Sequence, residues 1–187
     1  MNLSIESERL ILKIPDICDT GRILRFVTDN AGHFAPFEYS YPGNYFTAGF
    51  QEMMVSAVRQ QYLKLQGFRY YVYEKENTDR IVGCVGLANV RPGEDKSAEL
   101  YYKLDMRYTG QGYAAEACRA LISEAAETLA LHRMECDILP ENKASLRLAE
   151  RLGFEYEGTA RLSHCVQGVW RDHLRYSLII DKEGLKS

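Results

Sequence analysis

Apolar and polar positions alternate first over residues 9–14 (RLILKI), where branched side chains run up to Pro15 and predict an opening strand. Asp16 then stands where a helix cap belongs, ahead of Ile17, Leu24 and Val27. Residues 33–46 (HFAPFEYSYPGNYF) are rich in aromatics, Pro and Gly without a period, so a packed loop is expected. Phe50, Met54, Ala57, Val58, Tyr62 and Leu65 recur at helical spacing until Gly67 stops the run. Strands are predicted at 68–74, 80–90 and 98–104, with short connections that favour antiparallel pairing. Residues 111–130 then place Ala114, Ala117, Cys118, Leu121, Ile122, Ala125 and Leu129 on one stripe, the clearest helix in the chain. After a strand at 133–139, Asn142 caps a helix through Leu152, and Gly153 followed by Phe154 is a stop signal of the Schellman kind. Strands at 155–165 and 172–180 flank Gln167-Gly168 as a hairpin. The order β-α-α-β-β-β-α-β-α-β-β describes an α/β fold with a mixed sheet. Without repeats or low-complexity tracts, residues 1–187 are expected to form one domain.

Composition narrows the function classes. With 46% hydrophobic residues among 187, the chain can bury a sizeable core. A net charge of -3 and a pI near 5.9 give no overall attraction to phosphate polymers or anionic lipid, so direct nucleic-acid binding is not expected. No basic segment followed by an apolar run opens the chain, and no stretch approaches the ~20 apolar residues of a membrane span, which points to the cytoplasm and no membrane partner. The five cysteines are scattered, without a C-x-x-C pair and odd in number, and read as reduced thiols. The four histidines show no spacing that would put two ligands on one helix face, so no metal is expected.

The candidate chemistry lies where the strand at 98–104 meets the long helix. Between them comes Arg107-Tyr108-Thr109-Gly110-Gln111-Gly112, and glycines at 110 and 112 let the backbone approach an anion closely. The free N–H groups and positive dipole end of the following helix favour a pyrophosphate there, with Arg107 as a cation at its edge. Gly110, Gly112 and Ala115 also fit the dinucleotide fingerprint G-x-G-x-x-G/A. That pattern belongs to the first βα turn of a doubly wound sheet, whereas here only two helices remain to follow. On its strand, Glu99 shares a face with Tyr101 and Lys103, opposite Ala98, Leu100, Tyr102 and Leu104. It is a candidate general base through water, with an ion pair to Lys103 as the alternative.

The loop resembles that of the GNAT superfamily of N-acetyltransferases, whose pattern Q/R-x-x-G-x-G/A is met by Arg107, Gly110 and Gly112. SERLILKI, AELYYKLDMRYTGQGYAAEA, LHRMECDILPENKASLRLAERLGFEYEG and GVWRDHLRYSLI are similar to the RimJ/RimL type, which acetylates ribosomal-protein N-termini. Phe37-Glu38 and Trp170-Arg171-Asp172-His173 look like its alanine-terminus branch. The resemblance implies a GNAT-like, mostly antiparallel sheet of about seven strands flanked by about four helices. It also implies acetyl-CoA as cosubstrate, lying between the strand ending at Leu104 and the strand around Cys136. Main-chain atoms of Lys103, Leu104, Asp105, Met106 and Arg107 would line the pantetheine arm, and the amides of Arg107, Gly110, Gln111, Gly112, Tyr113 and Ala114 would hold the diphosphate. Asn142 and Ser145 form the family's N-x-x-S element, in which Asn142 touches the pantetheine and Ser145 donates to the departing thiolate. Read from position alone, the two residues are an ordinary cap and third helical residue.

The acceptor implied is an α-amine of a protein, on the ribosome or off it, bound by Phe37, Glu38 and Glu99. Glu38 would hold the cationic amine, unless it is simply a solvated loop carboxylate. Small amines (a polyamine, an aminoglycoside or an amino acid) and a non-catalytic acyl-CoA sensor are the alternatives, and the chain suits a monomer or a homodimer. Trp170 is expected to pack a sheet face and Arg171 to pair with Asp172 at the surface.

Overall fold

The computed structural model describes residues 1–180. Its strands are β1 (Ser4–Glu6), β2 (Leu10–Lys13), β3 (Phe68–Glu74), β4 (Gly83–Arg91), β5 (Ser97–Leu104), β6 (Arg133–Ile138), β7 (Glu155–Val166) and β8 (Val169–Ile179). Its helices are α1 (Thr20–Asp29), α2 (Ala31–Phe34), α3 (Ala48–Leu63), α4 (Tyr113–Leu129) and α5 (Lys143–Arg151). The eight strands form one sheet in the order β1-β2-β3-β4-β5-β6-β8-β7. Every neighbouring pair is antiparallel except β5 with β6.

The mixed, mostly antiparallel sheet is as expected, with one strand and one helix more. The opening strand is a pair, because β1 is three residues long and buries only Ile5, too little to display a period. A turn closed by Ser7 N–H to the Leu10 carbonyl (3.0 Å) separates it from β2. Asp16 does cap, but the element it opens is a 3₁₀ turn, Ile17–Asp19, that leads into α1. The strand expected from residue 80 begins at Gly83; Ile81 and Val82 are buried ahead of it.

Two apolar layers sandwich the sheet. The α4 stripe, including Cys118, Leu121 and Ile122, packs on Leu10, Leu12, Val85, Leu87 and Leu100. On the other face, Ile23, Phe26, Phe34 and Val55 pack on Tyr71, Tyr73 and Cys84. Each large side chain so buried contributes about 1.5–3 kcal/mol. Helix α5 ends as its sequence predicts: Gly153 sits at φ +87°, its N–H bonds the Glu150 carbonyl (3.0 Å), and Phe154 N–H reaches Ala149 (2.9 Å). Gln167 and Gly168 both take positive φ, the twist that a two-residue hairpin requires.

The single parallel pairing sets up the site. It joins Ser97 to Arg133, Ala98 to Met134 and Glu99 to Glu135, and stops there. Beyond Glu99 the strands part, β5 remaining paired only with β4 and β6 only with β8. One parallel pair in an antiparallel sheet is incompatible with a doubly wound dinucleotide fold, which removes that reading of the glycines.

Candidate active site

Glu99 occupies the last rung before the fork, on the sheet face covered by α1 and α3. It has no ion pair or hydrogen bond among the described residues. Lys103 pairs instead with Glu38, because the aromatic segment brings that carboxylate over β5. The Glu99–Lys103 pair is therefore not formed. Tyr39 lies near Glu99, its phenol pushed up by burial and then by the charges of Glu99 and Asp137. Glu38 also accepts a hydrogen bond from the Tyr41 hydroxyl. It is neither solvated nor free to receive a cationic amine without displacing Lys103. The segment is held to the β7–β8 hairpin by Gln167, whose Nε2 donates to the Glu38 carbonyl (3.1 Å). Phe37 is exposed beside it. Trp170 is exposed too, rather than packed on the sheet, Arg171 pairs with Glu141 (2.5 Å), and Asp172 accepts from Leu162 N–H (2.8 Å).

On the opposite face, Asn142 caps α5 by accepting from Ser145 N–H (3.1 Å). Beside Ser145 lies the Tyr102 hydroxyl, fully buried and, among the described residues, without a hydrogen-bond partner. Burial pushes the Cys136 thiol up to about 12 and raises that of Cys118, so neither is a thiolate nucleophile near neutral pH. Main-chain direction follows from Asp105 N–H, which bonds the Val82 carbonyl (2.9 Å) next to β4. By alternation the amides and carbonyls of Tyr101 and Lys103 point to β4, while those of Leu100, Tyr102 and Leu104 point into the fork. The open edge thus belongs to Leu100, Tyr102 and Leu104, whereas the Lys103 backbone is already paired.

The turn after β5 is latched at its start. Asp105, with no accessible surface, caps the 3₁₀ turn Met106–Tyr108 and accepts from Arg107 N–H (2.9 Å), Arg107 Nε (2.8 Å) and Arg107 Nη2. Arg107 Nη2 also reaches Asp29 (3.3 Å), and Met106 N–H donates to Asn30 Oδ1 (3.0 Å). The guanidinium expected at the edge of an anion site is therefore committed to carboxylates. Beyond the latch, Gly110 and Gly112 take φ of +78° and +84°. The amides of residues 110–115 meet no acceptor among the described residues, and the first bond into α4 runs from Glu116 N–H to the Gly112 carbonyl (3.1 Å).

The cation that does sit at this turn is Arg9, 102 residues from Gln111, whose carbonyl it bonds (3.2 Å). Its Nε pairs with Glu116 (2.7 Å) and its guanidinium lies 4.4 Å over the Tyr113 ring. Nothing local marks Arg9 as more than the start of a strand. A concavity of about 650 Å³ lined by Arg9, Gln111, Gly112, Arg119 and Arg151, among others, runs from the turn along α4.

Burial alone would raise the Asp105 carboxyl, but its bonds from Arg107 outweigh that and hold it below the usual range. Its stabilisation is therefore present above the unfolded carboxyl pKa of about 4 and is lost as pH falls through the lower folded value. Asp105→Ala should cost about 2 kcal/mol at pH 7, read as a lower urea midpoint, since it removes the cap of the Met106–Tyr108 turn and the buried carboxylate that Arg107 bonds. The deficit should shrink below about pH 4.

A model of the acetyltransferase (GNAT) domain matches residues 9–155. The chain is a GNAT acetyltransferase. Among its relatives, the probable N-acetyltransferase YjcK of Bacillus subtilis is 27% identical over 169 residues, covering 90% of this chain and 93% of that protein. The ribosomal protein uS5-alanine N-acetyltransferase of Escherichia coli is 26% identical over 180 residues, covering 93% and 89%. The crystal structure of the ribosomal-protein-S5-alanine acetyltransferase from Vibrio fischeri superposes with a TM-score of 0.90 at 25% identity, covering 97% and 98%. This acetyltransferase transfers acetyl to nitrogen, and its family draws that group from acetyl-CoA. No helix among the described residues is long and apolar enough to cross a membrane.

Proposed function

We propose that this enzyme acetylates the α-amine at the N-terminus of a protein, with a ribosomal protein as the acceptor class, and that residues 1–187 act as one domain in the cytoplasm. The observation that carries the donor side is the run of amides over residues 110–115, unbonded among the described residues, at the start of a 17-residue helix. Bare amides on left-handed glycines, at the positive end of a helix dipole, fit a diphosphate. The acceptor class rests on similarity to the uS5-alanine enzyme along nearly the whole chain.

Acetyl-CoA supplies the activated thioester. Gly110, Gln111, Gly112, Tyr113 and Ala114 hold the diphosphate through main-chain N–H groups, beside Arg9, which Glu116 pairs and positions against the turn. Leu100, Tyr102 and Leu104 offer open-edge backbone groups to an extended arm, which would pair with them as an added strand does. Asn142 borders that arm. Glu99 accepts, directly or through water, the proton lost by the amine as its nitrogen bonds to the acetyl carbon. Ser145 donates a hydrogen bond to the sulfur as the carbon–sulfur bond breaks. That Glu99 has no partner among the described residues supports the first role, and that Ser145 lies across the fork from it supports the second. Base and donor would approach the thioester from opposite faces of the sheet. Phe37 borders the acceptor, and Glu38 holds Lys103 and the segment above the fork.

Release of free thiol should be followed with acetyl-CoA and a panel of N-terminal peptides and small amines. Peptide-dependent release supports the proposal; dependence on small amines alone, or tight acetyl-CoA binding without release, overturns it. Ser145→Ala should lower kcat about tenfold while leaving coenzyme A affinity unchanged, because a thiolate of parent pKa ~8.5 is helped by a donor but does not require one. Wild-type turnover in that variant would remove the role.

A further inference from the structure

Arg69 projects from β3 on the acceptor face of the sheet, and its charge is not neutralised. Nε donates to the Tyr101 hydroxyl (3.0 Å), and the guanidinium lies 5.5 Å from that ring. Gly86, between the two strands, makes the contact possible: a Cβ there would come within 2.4 Å of the Tyr101 ring and hydroxyl. The four terminal N–H groups of Arg69 meet no acceptor, and no carboxylate pairs with it among the described residues. Those nitrogens are not sealed off either, since Tyr102 Oη is the one fully buried polar side-chain atom without a partner among the described residues. Tyr71 and Cys84 occupy the next rung on this face, Tyr45 lies near the guanidinium, and the Tyr45 and Tyr71 hydroxyls likewise lack partners among the described residues. This face carries two cations, Arg69 and Lys103, and two carboxylates: Glu38 is already bound by Lys103, and Glu99, two residues along β5 from Tyr101, makes no pair with Arg69. A shielded guanidinium with free donors and no carboxylate paired to it is costly unless an anion completes it.

We infer that Arg69 recognises a carboxylate on the acceptor, so that the preferred substrate is a peptide with an acidic side chain close to its N-terminus. This rests on the reading of the fork as the site of acetyl transfer. Arg69 stands two strands from β5, through Gly86, and Glu99 lies two residues along β5 from the rung of Tyr101. With strands ~4.8 Å apart and ~3.4 Å per residue, an anion at Arg69 is on the order of 10 Å from an amine at Glu99. The α-carboxylate of a free amino acid is bonded too near its own amine to span that gap. An extended peptide advances ~3.3–3.6 Å per residue, so a Glu side chain at its second or third position spans it. A polyamine would instead bring a second ammonium against Arg69.

The test is calorimetric binding to protein saturated with coenzyme A, and kcat/KM with acetyl-CoA, for peptides with Ala first and Glu at position two or three. Each is compared with its Gln counterpart. Wild type should favour one Glu peptide over its Gln partner by about tenfold or more, expressed in Kd and KM rather than kcat, as expected for one charge-assisted pair. Arg69→Gln should lose the preference and Arg69→Lys should keep part of it. Binding of the Glu peptide without turnover would sink the transferase reading but leave this inference standing. Equal binding of Glu and Gln peptides by wild type, binding of neither, or a preference that survives in a folded Arg69→Gln variant overturns it.

Discussion

Gly112→Val should raise the dissociation constant for coenzyme A about 100-fold, or about 2.7 kcal/mol, in calorimetric titration. Gly112 is at φ +84°, and a Cβ there would lie 3.5 Å from Arg9 Nη2, an ordinary contact. Space is therefore not the obstacle to a small side chain. The left-handed conformation is: it costs an L-residue roughly 1–2 kcal/mol, and the chain can relieve that strain by rotating the amides of residues 110–114 out of line. Valine adds a branch that crowds Arg9, whose guanidinium is fixed by Glu116 and Tyr113. Gly112→Ala should fall between, near tenfold. Circular dichroism and the urea midpoint separate loss of the turn from loss of the fold. Affinity within threefold of wild type in a folded Gly112→Val variant would mean that these amides do not hold the ligand, and the donor side of the proposed function would go with it.

What was legible beforehand was whatever announces itself locally. The α4 stripe, the Asn142 cap and the Gly153-Phe154 stop each express a rule that acts within about four residues, and the structure has all three. The glycine turn was visible for the same reason. Charge partners were not, because pairing is decided by what the fold brings near. Arg107 looked available in sequence, but its nearest carboxylate two residues back is buried and takes it. Lys103 looked like the partner of Glu99, four residues along the same strand face, yet Glu38 from a distant segment claims it. Arg9 and Arg69 carried no local signal at all. Arg9 becomes informative only once it lies against the start of α4, and Arg69 only once Gly86 of β4 lets it reach Tyr101 on β5. Alternation places Tyr102 on the apolar face, where its ring packs; that its hydroxyl ends beside Ser145 depends on where α5 docks.

Glu99→Gln should lower kcat/KM about 100-fold for an α-amine acceptor near neutral pH, the lower end of what general-base catalysis contributes. An α-amine of pKa ~7.7–8.0 is roughly a third neutral near pH 7.5, whereas a lysine at ~10.4 is neutral about one time in a thousand. Glu99 is therefore not needed to create the neutral nucleophile; its work is to take the proton that the nitrogen sheds on bonding to the acetyl carbon. Two consequences separate this role from a merely structural one. The rise of kcat/KM with pH belongs to the amine, so its midpoint should stay near 8 in the variant while the whole profile moves down. Coenzyme A affinity should be unchanged, because Glu99 faces the α1–α3 side whereas the turn and Ser145 serve the other. The glutamine keeps the size of the side chain, and Glu99 has no hydrogen bond or ion pair among the described residues to lose, so stability should hold as well. A loss below threefold would assign the proton to solvent and leave Glu99 as a lining group. A loss accompanied by weaker coenzyme A binding would mean that the two faces of the fork are coupled, and that the division of labour between Glu99 and Ser145 is wrong.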